Sequence, residues 1–171
     1  MNQAAVAGTG LVLLALHVAL GTLLPPGAAE WLPDPLVWLA CVPVLFGTAA
    51  EALTVAWVLG AARDCVLPDP LGLHACAFAL AAWPAWELRQ GFDVRRPSAR
   101  AITAGLVAAC YAVGLCVGRA VAGDAAIGEA LRRAVLPVAV TSALAPVALR
   151  GLLALPGLSA WERRTRFLGG A

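Results

Sequence analysis

The chain has 171 residues, of which 61% are hydrophobic and 13% charged, and its mean hydropathy of +0.85 excludes an ordinary soluble domain. Its basic residues are all arginine and nearly balance the acids, so the formal net charge of +2 gives no electrostatic footprint for nucleic acid. A bilayer core of about 30 Å takes roughly 20 apolar residues per helix, so about six or seven spans with their turns use up this sequence.

The first apolar segment, Ala4 to Leu24, is long enough to span, lacks a basic leader and has no Ala-x-Ala site after it, so it reads as a span and not as a cleaved signal. It stops at Pro25-Pro26-Gly27. The link to Pro35 carries Glu30 and Asp34 without a basic residue, and Trp31 fits an interfacial belt position. Segment two, Leu36 to Ala49, is short and contains Pro43, which predicts a tilted, broken or partly inserted helix. Segment three, Ala50 to Leu67, carries Glu51 at one end and Arg63-Asp64 near the other. Segment four, Pro70 to Leu88, has Trp83, Pro84 and Trp86 near its far end, again a belt-like placement. Segments five, Ala101 to Ala122, and six, Leu131 to Leu155, complete the set, the last with Pro137 and Pro146 inside it. The whole is predicted to be a single polytopic all-α domain of six transmembrane helices.

The arginines orient it. Arg89, Arg95, Arg96 and Arg100 lie between segments four and five, and Arg163, Arg164 and Arg166 lie in the tail, whereas Arg63, Arg119, Arg132 and Arg133 fall on the opposite side. The positive-inside rule then places both termini in the cytoplasm. The loop from Arg89 to Arg100 is expected to serve topology and contact with anionic headgroups.

The most informative stretch is Arg63-Asp64-Cys65-Val66-Leu67-Pro68-Asp69-Pro70-Leu71-Gly72-Leu73-His74-Ala75. Charges at the end of an apolar helix are expensive in lipid and face protein or water, where they hold a partner, lock two helices together or snorkel to the headgroups. Gly60-x-x-x-Asp64 at the end of one helix, followed by Pro70-Leu71-Gly72-x-His74 at the start of the next, resembles the signature of the MreD family, a small membrane component of the bacterial rod-shape machinery. The resemblance implies a six-helix bundle arranged like the substrate-binding subunits of energy-coupling-factor vitamin transporters. It also implies residence in the bacterial inner membrane and a non-enzymatic scaffold role, with MreC as partner and with RodA and its class B penicillin-binding protein as the regulated complex. Asp64, Pro70, Leu71, Gly72 and His74 are the positions it marks; Arg63 lies outside the pattern and reads as a counter-ion for Asp64.

Elsewhere the chemistry is sparse. His17 and His74 share a depth at which two histidines can hold a haem, but a neutral histidine bonded between helices is the commoner use, and no cofactor is expected. The five cysteines form no Cys-x-x-Cys and read as packing residues, so no metal is expected. Gly114 and Gly118, in a small-residue series on segment five, offer a face for close helix approach, inside the bundle or toward a partner. No hydroxyl, histidine and carboxylate fall at a spacing that suggests catalysis. The alternative reading, a vitamin-binding transport subunit, needs a polar aromatic pocket, and the segments are poor in such side chains.

Overall fold

A computed structural model describes residues 3–25, 32–123 and 127–168, and among them the chain is all-helical. The expectations for Trp31, Glu30 and Gly27 fall outside the described residues. Seven helices follow one another: α1 Gln3–Leu23, α2 Pro35–Phe46, α3 Ala49–Asp64, α4 Leu73–Arg89, α5 Pro97–Val121, α6 Ile127–Ala154 and α7 Ser159–Leu168. Three stretches, Ala5–Leu23, Pro97–Val121 and Ile127–Ala154, are long and apolar enough to cross a membrane. Their outward faces carry large apolar side chains such as Leu11, Val12, Val117, Val135 and Val147, about half exposed or more. Apolar surface on that scale is the mark of a membrane protein.

The boundary between segments two and three is written in local chemistry. Asp34 caps α2 by accepting from the Leu36 N–H at 3.0 Å, and Pro35 fills the first helical position, where its missing N–H costs nothing. The helix ends at Gly47, and Thr48 opens α3 with a reciprocal capping box to Glu51. Two helices result from what hydropathy alone shows as one long apolar run.

Segment two proves to be the centre of the bundle. Every residue of α2 from Leu36 to Phe46 except Trp38 is buried, and the helix touches all six others. That explains a sequence apolar on every side, since a helix with no polar face needs apolar neighbours all round. Pro43 sits inside it without breaking it, and Pro84, Pro137 and Pro146 are likewise carried within continuous helices. Around α2 the helices α3, α4, α5 and α6 pack in sequence order, each against the next, while α1 leans on α2 and α3 only.

The tail is not a plain basic extension: it forms α7, whose Trp161 is 3% exposed and packs over Gly47, with Leu158 fully buried behind it. The arginines of the α4–α5 region also differ from expectation. Arg89 donates to the Gly47 carbonyl at 2.6 Å and lies over the Trp86 ring, so it closes the open end of α2. Arg100 is buried, donates to the Val94 carbonyl and pairs with Glu162 of α7. Only Arg95 and Arg96 remain exposed there for lipid or solvent. Of the cysteines, Cys41 and Cys116 are buried as packing residues, Cys110 is half-buried, and Cys65 and Cys76 are exposed.

Candidate functional site

The site lies at the end of the bundle where α3 hands over to α4. Gly60 and Asp64 are one helical turn apart and share a face of α3. A Cβ at Gly60 would stand 2.4 Å from the His74 carbonyl oxygen and the Ala75 Cα, so only glycine lets the two backbones come this close. That approach brings the Asp64 carboxylate onto the first turn of α4. The His74 N–H donates to Oδ1 at 2.9 Å, and the Gly72 and Ala75 N–H groups donate to Oδ2 at 3.1 Å. Asp64 is therefore a helix cap supplied by the preceding helix. It satisfies three of the orphan donors of α4 and sits where the helix dipole favours a negative charge.

The loop is built for this. Gly72 occupies the position before α4 with φ +89°, a conformation that other residues adopt only with strain, and it has no side chain with which to cap the helix itself. Pro70 closes the turn by accepting from the Leu73 N–H at 3.1 Å. Leu71, between them, is 90% exposed.

His74 is buried and both its ring nitrogens are engaged: Nδ1 lies 2.6 Å from the Tyr111 hydroxyl of α5, and Nε2 lies 2.9 Å from Asp69 in the loop. A neutral ring that donates from Nε2 and accepts the Tyr111 O–H at Nδ1 satisfies both contacts. Asp69 in turn receives Arg119 of α5 at 2.8 and 3.0 Å. Burial would raise the Asp69 pKa, but the Arg119 and His74 hydrogen bonds outweigh it and hold the carboxyl below its ordinary range. Hydroxyl, imidazole and carboxylate stand in the order used by nucleophilic triads, yet the carboxylate is already neutralised by Arg119 and the hydroxyl is a buried phenol. The chain ties α4, its loop and α5 together.

Arg63 is not the counter-ion of Asp64. Neighbours on a helix diverge by about 100°, and the Arg63 side chain turns to Asp34, with which it forms an ion pair, while its guanidinium lies 5.6 Å from the Tyr111 ring centre. Asp34 carries its backbone N–H to Thr141 Oγ1 of α6 at 3.2 Å, and the Trp38 indole donates to the Thr141 carbonyl at 2.9 Å. Arg63 thus joins α3 to the start of α2, and through Asp34 to α6.

Gly114 and Gly118 face α4. Their added Cβ atoms would meet Ala77 at 3.2 Å and the Leu73 side chain at 2.2 Å, so this small-residue face is used inside the bundle. Gly105, one of the small residues earlier on α5, meets Ser142 of α6 in the same way.

The structure therefore brings Asp64, Gly72 and His74 together and adds Asp34, Asp69, Tyr111, Arg119 and Thr141, which the sequence reading did not single out. One signal was available: Tyr111 is the chain's only tyrosine, and Arg119 is the only charge in segment five. Among the described residues no group of three or more His, Cys, Asp or Glu has the geometry to hold a metal ion. No protein-family model, no curated protein and no solved structure matches this chain in the comparisons made.

Proposed function

We propose that the chain is a non-enzymatic membrane scaffold of the MreD type, working in the bacterial inner membrane. In this reading α1 to α6 all cross the bilayer, with α2 to α4 as short spans, and the arginine-rich end at Arg89, Arg95, Arg96 and Arg100 faces the cytoplasm together with both termini. The packing of α3, α4, α5 and α6 in sequence order supports it, as does the positive-inside rule. The partner is MreC, and through it RodA and its class B penicillin-binding protein.

The observation that carries this proposal is the division of labour within Pro70–His74. Gly72 and His74 are consumed in building the α3–α4 joint, whereas Leu71 is held out at 90% exposure on a turn fixed at both sides. A large apolar side chain presented on a fixed turn, in the same loop region as half-exposed Val66, is the anchor a partner helix or domain base would cover. The test is pull-down of purified chain with MreC in nanodiscs. Leu71→Asp is expected to keep the wild-type melting temperature and to lose MreC. If MreC recovery is unchanged, the loop is not the grip.

The rival, a vitamin-binding transport subunit, gains one observation: a cavity of about 330 Å³ beside Tyr111 and Thr141, a size that admits a small ligand. Extraction of the native preparation and mass spectrometry separate the two. A stoichiometric vitamin without MreC association would replace the scaffold reading.

A further inference from the structure

The same cavity supports a more specific assignment. It is lined by α1, α3, α5 and α6 together with the start of α2, and reaches the end of α5 that carries Arg119. At a rise of about 1.5 Å per residue, Tyr111 lies about 21 Å and Arg119 about 33 Å along α5, so the cavity runs about 12 Å below the Arg119 level. Its wall carries Arg63 low down and Arg119 and Arg133 at the mouth.

The carboxylates at the wall are already engaged, while its arginines keep N–H groups to spare. Asp34 is taken by the Leu36 N–H and Arg63, Asp69 by Arg119 and His74, and Glu129 by Arg133. Each guanidinium has five N–H groups, and Arg119 and Arg133 each commit one nitrogen to these contacts. Two buried atoms on this wall, Arg63 Nε and His17 Nδ1, have no hydrogen-bond partner among the described residues. A buried guanidinium N–H without an acceptor is costly, and it points to an acceptor from outside the chain. The three arginines are formally balanced by the three acids. The fitting ligand is therefore one with directed acceptor oxygens and low charge, as in a phosphodiester.

A second cavity, of about 360 Å³, shares His17 and Leu32 with the first and adjoins it there. It is apolar, walled by Leu13, Leu16 and Leu20 of α1, Trp38 of α2, and Gly151 and Leu152 of α6. Helices α1 and α6 do not pack against each other, so this groove lies in an unfilled seam of the bundle wall. A donor-rich head chamber joined to an apolar groove has the form of an amphiphile.

We propose that this composite site holds a phosphodiester lipid, its headgroup oxygens on Arg63, Arg119 and Arg133 and one hydrocarbon chain in the groove between α1 and α6. This assignment stands whether or not MreC is the partner.

The experiment uses the full chain purified in non-ionic detergent, with binding read by native mass spectrometry and by thermal melting. The probes are dioctanoyl phosphatidylglycerol, dioctanoylglycerol and inorganic phosphate. Saturable binding and a raised melting temperature are expected for the phosphatidylglycerol, with no effect from the glycerolipid that lacks phosphate. Two variants separate head from tail. Arg133→Gln alters an exposed residue and should lower lipid affinity about tenfold. A side chain at Gly151 meets nothing within 4 Å, so Gly151→Leu should fold, fill the groove and weaken the lipid while leaving phosphate binding as in the wild type. Absence of saturable lipid binding overturns the proposal, as does equal binding of dioctanoylglycerol or wild-type lipid affinity in both variants. Phosphate that binds as tightly as the lipid, with Gly151→Leu indifferent to both, would make this a free-anion site and also overturn it.

Discussion

The Asp64 carboxylate faces three backbone N–H groups, and this decides what its removal does. Asp64→Ala leaves those donors buried and unmet and should destabilise the protein by about 1–3 kcal/mol, with Asp64→Asn losing less because one acceptor oxygen remains. Gly60→Ala should act in the same direction, because its Cβ would lie 2.4 Å from α4 backbone that cannot give way. Melting of the purified variants checks both, and an unchanged Asp64→Ala melting temperature would deny the cap its structural role. Asp69 gives a pH signature. Its folded-state pKa is lowered, so its contribution is full above the ordinary carboxylate range and is lost as pH falls through the lowered value. The melting-temperature gap between wild type and Asp69→Asn is therefore expected to be widest near neutrality and to close below about pH 4. A gap that widens on acidification would reverse the assignment. At this scale the α3–α4 joint was legible because its members lie 8 to 11 residues apart. Arg63–Asp34, His74–Tyr111 and Arg119–Asp69 were not, since they span 29, 37 and 50 residues and only the packed bundle makes them neighbours.

Among the elements, local chemistry set the boundaries well. Gly47 and the Thr48 capping box place the α2–α3 break, and each long apolar run became a helix within a few residues of its expected ends. The role of α2 stayed hidden, because hydropathy reports that a helix avoids water and not whether lipid or other helices cover it. Helix α7 was missed for the opposite reason: it is short and polar, and the two large apolar residues that dock it, Leu158 and Trp161, carry no visible period. The glycines of α5 show what helix contacts imply. Gly114→Leu and Gly118→Leu should both lower the melting temperature and yield, as their added side chains meet α4. Gly21→Leu on α1, where nothing lies within 4 Å, should leave stability unchanged. Stable Gly118→Leu protein that fails only in partner binding would move that face to the outside.

For the molecule as a whole, composition announced membrane helices correctly, and three helices meet the length and hydropathy needed to cross. The sense of the bundle is the next question. In a background otherwise free of cysteine, native Cys65, exposed at the end of α3 that the proposed topology places outside, should react with an impermeant thiol reagent in intact cells. A cysteine in place of exposed Ser98, at the opposite end, should react only after lysis. The reverse pattern would invert the topology, and labelling of both would show that the helices do not alternate as proposed. What no composition could reveal is the apolar cavity beside α2, lined by α1 and α6, which do not pack against each other.

The Asp64 cap also bears on how such a chain enters the bilayer during synthesis. With 16 and 17 residues, α3 and α4 are each short of a full crossing, and α3 would carry three charges, Glu51, Arg63 and Asp64, into lipid alone. The carboxylate and the amides that bind it are close in sequence, so they can meet as soon as the second helix has been made. In the proposed six-span topology, a hairpin closed in this way would leave the insertion machinery as one unit, and the charge would enter the lipid phase with its hydrogen bonds already in place.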